Sequence, residues 1–156
     1  MKLERILLGF ALALSATIAM AQERPPYGPD VTLEQAKKIS AGAAAESQKN
    51  GWRMAIAVVD NSGMLVYFER MPDTQTGSGQ IAIDKAKTAA MLRRPTKALE
   101  DAIAKGRTVL MSIAPAPIEG GLPIMVGGKV IGGIGVSGAN SDQDAAAAVA
   151  GLKLLQ

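Results

Sequence analysis

The stretch Met54-Ala55-Ile56-Ala57-Val58-Val59-Asp60-Asn61-Ser62-Gly63-Met64-Leu65-Val66-Tyr67-Phe68-Glu69-Arg70 decides the fold class. Its first six residues form an unbroken apolar run, which reads as a strand covered on both faces. Asp60, Asn61, Ser62 and Gly63 carry turn chemistry. From Met64 to Arg70 the chain then sets Leu65, Tyr67 and Glu69 against Val66, Phe68 and Arg70, so the segment returns as the second arm of a hairpin. Further on, Leu122 to Val126 is a short apolar strand, Gly127-Gly128 a two-residue turn signal, and Lys129 to Ser137 the partner strand. Hairpins impose antiparallel pairing. The expected class is α+β, with one antiparallel sheet of two hairpins packed by helices.

Working outward, Thr32 opens a helix and Gln35 is placed to complete a capping box. Leu33, Ala36, Ile39, Ala43 and Ser47 recur at helical spacing, and Asn50-Gly51 close the element. Between the hairpins, a polar loop from Met71 to Gly79 leads into a helix over Ile81 to Leu92. Its residues Ala82, Ala86, Ala89 and Ala90 are small enough for another backbone to come close, and Pro95 stops it. Thr96 is expected to cap a short helix through Lys105. After the second hairpin, Asn140 or Ser141 caps a last helix in which Ala145, Ala148, Val149, Leu152 and Leu155 share a face. The element order is α-β-β-α-α-β-β-α.

The amino end has the three parts of an export signal: Lys2 and Arg5, an apolar run from Ile6 to about Met20, and small residues Ala19 and Ala21 around the cleavage point. Residues 1–21 are therefore expected to be a cleaved signal peptide, 22–30 a flexible segment rich in proline, and 31–156 a single domain. The expected location is periplasmic or secreted. No later apolar stretch is long enough to span a bilayer, so membrane insertion after cleavage is not expected. Losing Lys2, Arg5 and Glu4 with the leader takes the net charge from +3 to +2, too mild for a nucleic-acid partner. There is no cysteine, so packing and hydrogen bonds alone must hold the fold. Histidine is also absent, which removes the usual metal ligand and the usual general base. That inventory weighs against catalysis, although a buried lysine or carboxylate can act as a base when its environment shifts its pKa.

Gly133, Gly135 and Gly138 match G-x-G-x-x-G, but they lie on the second arm of a hairpin and the chain ends before the required acidic residue. The better reading is a strand flattened so that a helix or another subunit can approach. Ser137 has no histidine to form a triad. Asp60, Glu69, Asp73, Asp142 and Asp144 lack calcium-loop spacing, and Asp142 and Asp144 read as first-turn residues of the last helix. Lys85 shares a helical face with Ile81 and Thr88. It either meets an anionic ligand or extends its ammonium to solvent, the second being the plainer reading. Met71 offers a thioether that can ligate iron, though methionine more often fills apolar gaps.

Several strings together resemble one family, the GlcG/HbpS group of small proteins described as haem-binding or haem-degrading and related to the carboxy-terminal domain of PduO. They are Thr32-Leu33-Glu34-Gln35-Ala36, Ala57-Val58-Val59-Asp60 with Gly63, Ala82-Ile83-Asp84-Lys85-Ala86-Lys87-Thr88-Ala89, Gly120-Gly121-Leu122-Pro123-Ile124, and Val130 through Gly138. The resemblance runs from about Val31 to Leu155. It implies a profilin-like sandwich, a homo-oligomer, haem or a related tetrapyrrole as small-molecule ligand, and for some relatives a membrane sensor kinase as partner. Without His or Cys, iron would take Met71, Tyr67, a threonine or a lysine, or the haem would be held by its propionates, for which Lys85, Arg70 and Arg93 are suited by charge. The rival reading is an enzyme or accessory acting on a small hydroxy or keto acid, with Arg70, Asp73 and Lys85 as its polar pocket. A third is a structural protein whose assembly is its function. The expected ligand-binding set is Arg70, Met71, Asp73, Ser78, Lys85 and Arg93, with no catalytic residue and no metal site assigned.

Overall fold

A computed structural model describes residues 23–155; the expected leader, 1–21, lies outside them. Thr32 caps helix α1 (Leu33–Lys49) through the capping box with Gln35. Strands β1 (Ala55–Val59) and β2 (Leu65–Arg70) form the first hairpin. Asp60 builds the turn between them by accepting from the Ser62 and Met64 N–H groups and the Ser62 hydroxyl. Helix α2 (Ser78–Leu92) begins three residues before its expected start, and α3 (Lys97–Ala104) is followed by a 3-10 turn at Thr108–Ser112 that periodicity had not indicated. Strands β3 (Gly121–Val126) and β4 (Lys129–Ser137) make the second hairpin, and α4 (Ser141–Leu152) follows it.

The sheet order is β2-β1-β4-β3, antiparallel throughout, so the two hairpins join through β1 and β4. Helix α2 covers one face and α1 with α4 the other. The alternation of β1 decides which residue serves which layer: Ala55, Ala57 and Val59 meet Ala82, Ala86 and Ala90 of α2, while Ile56 and Val58 pack with Ile39, Ala43 and Ala148. The layer against α2 is thin because β4 turns glycines toward it. A Cβ on Gly135 would stand 2.0 Å from the Ala82 carbonyl oxygen, and one on Gly133 2.4 Å from that of Ala86. The G-x-G pattern is thus a helix-packing device.

Four expectations change. Leu33 and Val149, placed on buried faces by spacing, are exposed, because α1 and α4 meet through smaller residues such as Ala43, Ala147 and Gly151. The segment from 22 to 30, expected to be flexible, is tied down where it is described. Val130 donates to the Pro26 carbonyl, Gly28 and Val31 donate to β4, and the Tyr27 hydroxyl reaches the Met91 carbonyl. Thr96 does not cap α3 with its side chain. It is buried, and its hydroxyl instead bonds the backbone of Gly121, accepting its N–H at 2.9 Å and holding β3 to the start of α3.

Candidate functional site

Helix α2 carries a recess at each end. At its carboxyl end, Arg93 takes a left-handed conformation (φ 51°) and closes the helix, Pro95 prevents its continuation, and the chain departs with two guanidiniums side by side. The docked amino-terminal segment brings a third. Arg24 donates to the Leu92 carbonyl, Arg93 donates to the Pro25 carbonyl at 3.1 Å, and the Arg93 guanidinium stacks 4.9 Å above the centre of the Tyr27 ring. Together with Pro25, Pro95, Ala98, Pro123 and Met125 these arginines line a cleft of about 590 Å³. Arg94 Nε is buried there with no hydrogen-bond partner among the described residues. Among the described residues, Glu23 is the only acid on the lining and no ion pair involves the three arginines. The cleft therefore offers several cationic donors beside an apolar wall.

At the amino end of α2 lies a smaller cavity of about 320 Å³, bordered by the end of β4 and the start of α4. Lys85 and Asp144 meet at its base, Nζ to Oδ2 2.7 Å, with both side chains almost wholly buried. The ammonium also donates to the Val136 carbonyl at 3.1 Å, and the Ala139 N–H donates to Asp144 Oδ1. Gly120 makes room for the pair, since a Cβ there would stand 2.7 Å from Lys85 Nζ and 2.8 Å from Asp144 Cβ. Burial pushes the Asp144 carboxyl above its ordinary value, and the Lys85 ammonium with the Ala139 and Gly138 N–H groups pulls it back only in part.

These recesses divide the residues singled out from the sequence. Ser78 and Lys85 share the smaller cavity, and Arg93 lies in the arginine cleft. Lys85 does not extend to solvent, because an acid from α4 meets it inside. Asp144 is therefore more than a first-turn residue complementing the helix dipole. Met71 belongs to neither recess. Its side chain is buried in the core and its sulfur accepts the Met54 N–H at 3.4 Å, which corrects its reading as an iron ligand. Arg70 and Asp73 are exposed and line neither recess, so they form no pocket with Lys85. Arg24, Arg94 and Met125 were not singled out from the sequence. The Arg93-Arg94-Pro95 doublet at a helix end was the available signal for one of them.

The sequence matches the family described as "Haem degrading protein HbpS-like" over residues 31–153. This chain belongs to the HbpS-like family. Protein GlcG of Escherichia coli (strain K12), a relative of the chain, is 41% identical over 109 residues, which cover 69% of this chain and 81% of GlcG. Among solved structures, a double mutant of Streptomyces reticuli HbpS superposes with a TM-score of 0.77 at 32% identity, covering 83% of this chain and 89% of that one. The PduOC:Heme complex superposes at 0.75 and 24% identity, covering 80% and 94%, a likeness of fold. The α+β class and the HbpS-like resemblance read from the sequence both hold.

Proposed function

We propose that this protein is an exported, oligomeric binder of haem or a related tetrapyrrole, and that the arginine cleft is its seat. The observation that carries the reading is the set of Arg24, Arg93 and Arg94 around a wall of Pro25, Pro95, Ala98, Pro123 and Met125, with Arg94 Nε buried and without a partner among the described residues. That donor set fits a flat apolar molecule bearing carboxylates: guanidiniums pair with propionates and prolines present apolar surface to a ring. The volume is within the range of small-molecule sites, about 300–1,000 Å³. Met125, 40% exposed on the same lining, is the thioether available to iron. When bound, haem would supply the iron and its ligand chemistry. The chain's own part is to orient the carboxylates and shield one ring face.

The family description supports this reading, as does the haem complex recorded for PduOC, a protein of the same fold. Assembly is supported by the 3-10 turn after α3, where Val109, Met111 and Ile113 are each about 60% exposed, an apolar patch suited to a second copy of the chain. Export rests on the leader read from the sequence, and a membrane sensor partner rests on family resemblance. Native mass spectrometry of protein purified from its own cells tests the proposal in one spectrum. The expected species is a multimer of chains beginning near Gln22 and retaining a tetrapyrrole mass. An empty monomer beginning at Met1 would contradict it.

A further inference from the structure

We propose that the smaller cavity is a second binding site, for a small carboxylate, distinct from the arginine cleft and independent of tetrapyrrole binding. Ser78 on α2 and Ser137 at the end of β4 are 3% and 6% exposed, and both line the cavity. No hydrogen bond among the described residues involves either hydroxyl, and neither oxygen is sealed off, so both open onto the cavity. Two hydroxyls that open onto one cavity, unengaged by the described residues, are free to bond a ligand there.

The polarity of the cavity selects an anion. From α2 the lining takes Ser78, Ile81 and Lys85, one face of the helix, and no acid stands in its first turn. The one carboxylate on the lining offers no free oxygen, because Lys85 holds Asp144 Oδ2 and the Ala139 N–H holds Oδ1. The Lys85 ammonium has three protons and uses two, on Asp144 and on the Val136 carbonyl. The available groups are thus mostly donors. Ile81, Ala116 and Ile118 add an apolar wall to the same lining. A bare phosphate or sulfate would leave that wall in contact with its own solvent shell. A carboxylate on a short carbon chain satisfies both sides, with its oxygens on the Ser78 and Ser137 hydroxyls and the remaining Lys85 proton and its carbons on the isoleucines.

Amide chemical-shift titration of the purified protein tests this, with propanoate as probe and propanamide and inorganic phosphate in parallel. Propanoate is expected to shift the amides of Ser78–Gln80 and Ser137–Ser141 saturably at millimolar concentration, with propanamide and phosphate much weaker. Ser78→Ala and Ser137→Ala should each weaken propanoate about tenfold, from the loss of a hydrogen bond to a charged group, with no fall in unfolding midpoint. Ile81→Glu, at an exposed position on the rim, should abolish binding while leaving the fold intact. The proposal is overturned by no saturable shift up to about 50 mM propanoate, by unchanged affinity in the two serine variants, or by phosphate or propanamide binding as tightly.

Discussion

Lys85 and Asp144 stand 59 residues apart in sequence and 2.7 Å apart in space, joining α2 on one face of the sheet to α4 on the other around the end of β4. Neither helix could shift without separating two buried charges. Because a buried pair gains little over an apolar one yet is costly to break, its contribution is to hold the two layers in register. The cavity at the start of α2 keeps its shape through this bond.

Lys85→Met leaves Asp144 buried without its cation and is expected to destabilise the protein by about 3–5 kcal/mol. The double substitution Lys85→Met with Asp144→Leu should recover most of that loss. Urea unfolding of the three proteins measures both, and a single variant as stable as the parent would show that the pair does not hold the layers.

Gly135→Ala should be among the most damaging single changes, since the new methyl would lie 2.0 Å from a carbonyl oxygen of α2 and the helix must move away. A loss of about 3 kcal/mol or more, or failure to fold, is expected in thermal melts. Gly77→Ala is the control. Its φ is −69°, a Cβ there meets nothing within 4 Å, and the midpoint should hold or rise slightly.

Much of this was readable in the sequence, and the failures share a cause. Asp60-Asn61-Ser62-Gly63 and Gly127-Gly128 mark both hairpins, and Thr32 with Gln35 marks the start of α1, because turns and caps are settled by residues a few positions apart. Leu33 and Val149 were misplaced because spacing finds a helix face but not which part of it a neighbour covers. Tyr27 and its segment read as loose because their partners, Val130 and Met91, are far along the chain. Lys85 was found on the correct face, yet nothing local shows that Asp144 would meet it. The arginine cleft gathers Arg24, Arg94 and Met125 from three elements, and only Arg93 of that group was singled out.

Thr96→Val removes the hydroxyl that bonds the Gly121 backbone and leaves the buried Gly121 N–H unmet. A loss of about 1–3 kcal/mol is expected in chemical unfolding, with the cavity residues unmoved.

Asp60 and Asp144 depart from the ordinary carboxyl value in opposite directions. At Asp60, burial works to raise the pKa, but hydrogen bonds from the Ser62 side chain and from the Met64, Ser62 and Gly63 backbone outweigh it and hold the carboxyl below its ordinary 3.8. Its contribution to stability is then present above 3.8 and lost as pH falls through the lowered value. Asp144 lies above 3.8, so the folded state holds its proton longer, and its titration makes stability fall as pH rises from 3.8 through the raised value. Carbon-13 titration of the side-chain carboxyls should place the Asp60 midpoint below that of Asp144.

The claim on which the functional reading depends is that the three arginines at the end of α2 receive a tetrapyrrole. Titration of haem followed in the Soret band, on the parent and on a variant carrying Arg93→Gln and Arg94→Gln, addresses it directly. The expected result is a saturable spectral shift at micromolar haem in the parent, weakened at least tenfold in the variant while the fold is retained. No shift in the parent, or equal affinity in both proteins, would contradict the proposal.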